Sequence, residues 1–158
     1  MKLSKRQEYK RLKTSLDRLF TFLHKNYNIN YGGCCWLSYC LADNLERLGI
    51  NYDLILYTGE DYTEEDAYYN IKERVENEFP NGDETTNHYT LRVKGMGILN
   101  KDPGEPFIVV HGIDSIDLRW VYDNGYWNKC YNPKINNEIK NLVDTTFRIY
   151  EEETREAA

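Results

Sequence analysis

Apolar residues recur at three- and four-residue intervals in two N-terminal segments of the chain. This spacing places them on one face of a helix, so we predict amphipathic helices over residues 4–26 and 34–48. Gly49 follows the second segment, as a left-handed C-terminal cap would. The repeating positions are Tyr9, Leu12, Leu16, Leu19 and Leu23 in the first helix, and Cys34, Leu37, Leu41, Leu45 and Leu48 in the second.

Four short runs later in the chain predict strands. They contain alternating or continuous apolar residues and lie between turn-forming segments. The run at 107–110 is apolar throughout, which is typical of a central strand, and it follows a loop over 95–106. A helix is predicted over 63–79. The strands are predicted at residues 52–57, 88–93, 107–110 and 145–150.

The segment 114–131 has two interpretations. Asp114 and Ser115 could cap a short helix, whereas the Asp-Asn-Gly sequence at 123–125 favours a hairpin between strands at 118–122 and 126–131. We favour the hairpin for the second half. A short helix is then predicted from Pro133.

Because helices come first and strands are gathered later, the predicted fold class is α+β. A chain of 158 residues suits one domain. We expect an N-terminal helix and loop over 1–30, a core over 31–150 and a frayed tail over 151–158.

Charge is distributed unevenly along the chain. The net charge is −6, but residues 1–25 contain eight Lys or Arg and two Asp or Glu, which leaves 12 basic and 24 acidic residues elsewhere. The basic first helix could contact nucleic acid or an acidic partner, and a solvated outer face is the interpretation we favour. The acidic remainder argues against nucleic acid as the main ligand.

The sequence is typical of a cytoplasmic protein. It contains no apolar run of about 20 residues, and a charged helix rather than an apolar signal follows Met1. We therefore expect no membrane association, and reduced cysteines. The spacing of the four cysteines does not follow a zinc pattern, so neither a metal nor another cofactor is predicted. They are Cys34, Cys35, Cys40 and Cys130.

Candidate chemistry lies where Gly32-Gly33 precedes Cys34-Cys35 at the start of the second helix. The positive end of a helix stabilises a thiolate, and uncrowded backbone amides there could hold an oxyanion. His88 opens a later strand and could act as general base and acid for such a thiol. Small buried cysteines and a strand histidine in the core are the structural alternative.

These residues resemble the papain-like and transglutaminase-like cysteine hydrolases. The resemblance covers roughly residues 30–115: a Gly-x-Cys at 32–34, Ser38, a leucine-faced helix ending in Leu48-Gly49, and a histidine strand over 87–93. It implies a fold in which a helix bearing the cysteine packs on a small antiparallel sheet bearing the histidine. It also implies a small hydrolase or acyltransferase acting on a peptide or amide, and small size with many Tyr, Asn and Lys suggests a viral or mobile-element protein.

The helical phase favours Cys34 over Cys35 as nucleophile, because Cys34 shares a face with the leucines. The family places an acidic or amide residue on the strand after the histidine strand, to orient the imidazole. Here His111 stands at that position, with Asp114 three residues later and Asp102 in the preceding loop. This departure supports the alternative that the domain is catalytically silent and binds a protein partner.

Overall fold

The computed structural model describes residues 2–30, 33–58, 72, 86–101, 107–124 and 132–157. Within these ranges four helices and a four-stranded antiparallel sheet confirm the predicted α+β class. The elements are α1 (Lys5–Tyr27), α2 (Cys34–Arg47), β1 (Tyr52–Thr58), β2 (Thr86–Val93), β3 (Gly97–Ile98), β4 (Phe107–Val110), α3 (Ser115–Asn124) and α4 (Pro133–Ala157).

Both N-terminal helices form where the apolar periodicity predicts them. The first turn of α1 is closed by a capping box, in which Ser4 and Gln7 each bond the other's backbone N–H. Gly49 adopts a φ of +71° after α2, as expected for a left-handed cap. The buried face of α1 consists of Leu12, Leu16, Leu19, Phe20 and Leu23.

The sheet has the strand order β3-β2-β1-β4, and all of its pairs are antiparallel. The prediction that residues 107–110 form a central strand is wrong for the described sheet, because β4 lies at its edge and Phe107 is 41% exposed. The predicted loop over 95–106 also contains β3, which forms a hairpin with β2.

Alternation along the strands gives the sheet two different faces. Leu54 and Leu56 of β1 pack with α2 in the main core, together with Tyr89 and Leu91 of β2. The opposite face carries three cross-strand rows set by the register. From one end of the sheet to the other these rows are His88–Tyr57–Phe107, Thr90–Ile55–Val109 and Arg92–Asp53–His111.

The C-terminal third of the chain is more helical than predicted. Residues 118–122 belong to α3, so the preferred hairpin is wrong there, and Asp114 caps this helix by accepting a hydrogen bond from the backbone of Asp117 at 2.8 Å. The predicted short helix, the strand at 145–150 and residues 151–157 of the predicted frayed tail are one 25-residue helix, α4. Its buried positions continue a helical repeat at Ile139, Val143, Phe147 and Tyr150.

The helices are fastened to one another by a few specific contacts. The indole N–H of Trp36 on α2 donates to the carbonyl oxygen of Asn136 on α4 at 2.9 Å, and its ring packs on Tyr122 of α3. The carboxylate of Glu46 accepts hydrogen bonds from the backbone N–H and the hydroxyl of Ser115 at the start of α3. These contacts fix α2 against the layer formed by α3 and α4.

Two of the predicted secondary-structure elements lie outside the described residues, as do Gly32 and Cys130. The two elements are the helix over 63–79, apart from Lys72, and the second strand of the hairpin at 126–131.

Candidate functional site

Cys34 is the first residue of α2. Its N-cap is Gly33, which offers no side-chain hydrogen bond, and the first turn contains no acidic residue. Among the described residues neither the cap nor the first turn places a carboxylate at the positive end of the helix dipole, whereas burial of the side chain opposes ionisation of the thiol. Cys34 is only 2% exposed, and its carbonyl oxygen accepts a hydrogen bond from Ser38.

His88 lies near the start of β2 and is 3% exposed. Its Nε2 atom lies 2.9 Å from the carbonyl oxygen of Asn100. A carbonyl oxygen can only accept, so Nε2 carries the proton, and in the neutral ring Nδ1 is the basic nitrogen. The imidazole packs beside the ring of Tyr57, with centroids 5.4 Å apart.

Asn100 joins the histidine strand to the loop that leads into α2. Its side-chain amide donates to the Oδ1 atom of Asn30 at 3.0 Å, and its own Oδ1 lies 2.8 Å from Nε2 of His24 on α1. Its backbone is left-handed, with a φ of 46°. Since Asn30 precedes Cys34 by four residues, the cysteine segment and the carbonyl that orients His88 are held by one residue.

The other described thiols lie in different surroundings. Cys35 lies near Tyr122 of α3, whose pKa is raised chiefly by burial and further by the proximity of Cys35. Burial raises the pKa of Cys40 far above its usual range, with nearby Asp43 and Asp144 adding to the effect and Lys140 opposing it. Cys40 is therefore a neutral core residue at physiological pH. Cys34, Cys35 and Cys40 are all thiols outside any disulfide.

The structure places His111 away from His88. Strand β1 lies between β2 and β4, so His111, which follows β4, reaches Asp53 of β1 at 2.7 Å. Asp53 is four residues from Tyr57, the register partner of His88, which corresponds to about 13 Å along the strand. The side chain of Asp114 serves as the cap of α3 instead. Asp102 lies outside the described residues.

Asp53 is the centre of a charged row on the sheet. Burial raises its pKa, but hydrogen bonds from His111 and Arg92 outweigh burial and hold the pKa of this carboxyl below its usual value. A depressed pKa stabilises the fold above the unfolded-state value of about 3.9, and this contribution is lost as the pH falls through the folded-state value.

We predict that Asp53→Asn lowers the free energy of unfolding by about 1 kcal/mol at neutral pH. The loss should shrink as the pH falls below about 4 and through the depressed folded-state pKa of the wild-type carboxyl. Urea unfolding at neutral pH and below about pH 4 measures this loss of stability. A deficit of equal size at low pH would show that packing, and not charge, is what the substitution removes.

Sequence reasoning missed Asn100. It contributes to the site through a backbone carbonyl, which any residue type offers, so the residue type alone gives no signal. The available signal was Gly95-Met96-Gly97, a turn that predicts a hairpin returning along the histidine strand. Both glycines adopt a positive φ there.

None of the described helices is long and apolar enough to cross a membrane. Within the same residues, no group of three or more His, Cys, Asp or Glu side chains is placed to hold a metal ion.

No family model matches the chain, and neither the curated proteins nor the solved structures include one similar enough to be identified as a relative.

Proposed function

We propose that the chain is a cysteine-dependent hydrolase or acyltransferase, with Cys34 as nucleophile and His88 as general base and acid. The observation that carries the proposal is the bond from Nε2 of His88 to the carbonyl oxygen of Asn100. It fixes the tautomer with a basic Nδ1, and it does so from the residue that also holds the loop before Cys34. The resemblance to papain-like and transglutaminase-like enzymes supports the same roles.

The chemistry requires a peptide or amide substrate and no cofactor. His88 takes the thiol proton of Cys34 at Nδ1, and the resulting thiolate attacks the carbonyl carbon. The carbonyl electron pair moves to oxygen, where backbone amides at the start of α2 would stabilise it. His88 then gives its proton to the departing amine as the C–N bond breaks, leaving a thioester. Water or a second amine attacks the thioester with His88 as base, and the thiolate leaves.

Trp36 points toward the helical layer and not toward the proposed nucleophile, which is itself buried. It lies two residues after Cys34, a rotation of about 200° around the helix, and its ring faces α3 and α4. The indole therefore serves the helical layer and is directed away from the cysteine.

A second candidate function is a catalytically silent domain that binds a protein partner. It is favoured by the burial of both side chains, 2% exposed for Cys34 and 3% for His88. Strand alternation also puts the imidazole on the sheet face of Tyr57, opposite the face that packs with α2. In such a domain the cysteine would be a core residue.

Alkylation of the native protein distinguishes the two functions. At about pH 6 a free thiol is almost wholly protonated, so an activated Cys34 should react with iodoacetamide faster than free cysteine does. Peptide mass spectrometry locates the label. Cys34→Ser should abolish the fast reaction, and Cys35→Ser, the matched control, should retain it.

The opposite result is equally clear. If Cys34 reacts no faster than free cysteine in the native protein, while it reacts normally in urea, the hydrolase proposal is wrong. The silent domain is then the better description of the fold.

A further inference from the structure

The cations of α1 differ from those elsewhere in the protein. Six of the 11 described cations outside α1 have a carboxylate partner: Arg47, Lys72, Arg92, Arg119, Lys140 and Arg148 all form ion pairs. On α1, Lys13 pairs with Asp17. The exposed Arg11, Arg18 and Lys25 have no carboxylate within ion-pair distance among the described residues.

These three cations form a line. They are seven residues apart, and seven residues make two helical turns, so they recur about every 10.5 Å along one side of α1. Phe22 lies between Arg18 and Lys25 on the same side, three or four residues from each, and it is 46% exposed. We call Arg11, Arg18, Phe22 and Lys25 the α1 stripe.

The aromatic ring of the α1 stripe is kept in place by contact with a neighbouring ring. The ring of Phe22 lies 6.4 Å from the ring of Tyr27, centroid to centroid, with the planes inclined by 55°. The hydroxyl of Tyr27 donates to Glu138 on α4 at 3.0 Å, which fixes that ring. A flat group arriving from solvent would therefore meet an ordered aromatic surface between two cations.

We propose that the α1 stripe binds single-stranded nucleic acid, its cations contacting phosphates and Phe22 stacking on a base. This combination of a cationic track and an exposed ring is how proteins bind single strands without sequence preference. An acidic polypeptide would satisfy the cations but offers no base to stack on the ring. In a duplex the bases are already stacked on one another.

The acidic remainder of the chain is compatible with this proposal. Exposed charges separated by more than about 8 Å are largely screened at physiological ionic strength. A strand that follows the outer side of α1 is therefore governed mainly by the cations next to it. The proposal revises the expectation from composition, which averages the charge over the whole chain, and it is independent of the proposed hydrolase chemistry.

Fluorescence anisotropy with labelled oligothymidylate and oligouridylate of about 20 nucleotides tests the proposal and separates DNA from RNA. The logarithm of the binding constant should fall linearly with the logarithm of the salt concentration. In Arg18→Gln/Lys25→Gln the slope should decrease in magnitude by about 1.4. Phe22→Ala should weaken binding about 10-fold and leave the slope unchanged. Phe22→Trp should retain the binding affinity.

Lys134→Gln is the matched control, because it removes one exposed cation from the first turn of α4 and should leave affinity almost unchanged. Three results would each overturn the proposal. They are no binding at about 50 mM salt, an affinity for polyglutamate equal to that for the oligonucleotides, and an unaltered affinity in folded Phe22→Ala protein.

Discussion

Replacing His88 by Gln should slow the alkylation of Cys34 at about pH 6 by about 100-fold. A thiol with a pKa near 8.5 is ionised to well under one per cent at that pH, whereas a thiol paired with an imidazolium is largely ionised. Glutamine can still donate a hydrogen bond to the carbonyl oxygen of Asn100, but it cannot accept a proton. The rate should be followed from about pH 5 to pH 9, where the wild-type advantage should disappear as all thiols ionise.

His111→Gln is the control for this experiment. His111 follows β4 and bonds Asp53 of β1, and β1 separates β4 from the strand that carries His88. The loss of His111 should therefore leave the alkylation rate of Cys34 and its pH profile unchanged. An equal slowing in both variants would contradict the assignment of His88 as the base. It would instead mean that either substitution disturbs the sheet.

Phe147→Ala should lower the free energy of unfolding by about 3–5 kcal/mol, the cost of removing a large ring from a packed core. Phe147 is fully buried on α4, in the same core cluster as the leucines of α1. Urea unfolding followed by circular dichroism measures the loss.

Ile149→Ala makes this measurement a test of the secondary structure. In a strand residues 147 and 149 would face the same side, whereas in a helix they point about 200° apart. Ile149 is 44% exposed, so we expect its substitution to change stability by no more than about 0.5 kcal/mol. Two comparable losses would support the strand that the sequence predicted.

The sequence correctly predicts the elements in which one hydrophobic repeat extends over a long segment. The leucines of α1 and α2 repeat over several turns, and the alternation in β2 is regular, so their identities follow from local pattern. It failed over 145–150 because two threonines and an isoleucine raise strand propensity, while the helical repeat is visible only when Ile139 and Val143 are included. It fails at 118–122 because the Asp-Asn-Gly sequence at 123–125 is typical of a hairpin turn, whereas Asp123 and Asn124 belong to α3.

The candidate site was predictable in part for a similar reason. Cys34 and His88 are conspicuous by residue type and by their places at element starts, and the structure describes both there. Which group orients the imidazole depends on strand order. Local pattern does not reveal that β1 separates β2 from β4, so His111 was expected beside His88 when it lies beside Asp53.

The packing of α1 against α4 has a consequence for synthesis on the ribosome. Tyr27 and Glu138, which join the two helices, are 111 residues apart in the chain. The leucine face of α1 therefore emerges early but gains this cover only after α4 has been made. Until then it presents apolar surface to other nascent chains and to chaperones, so α4, which is translated much later, completes the burial of α1.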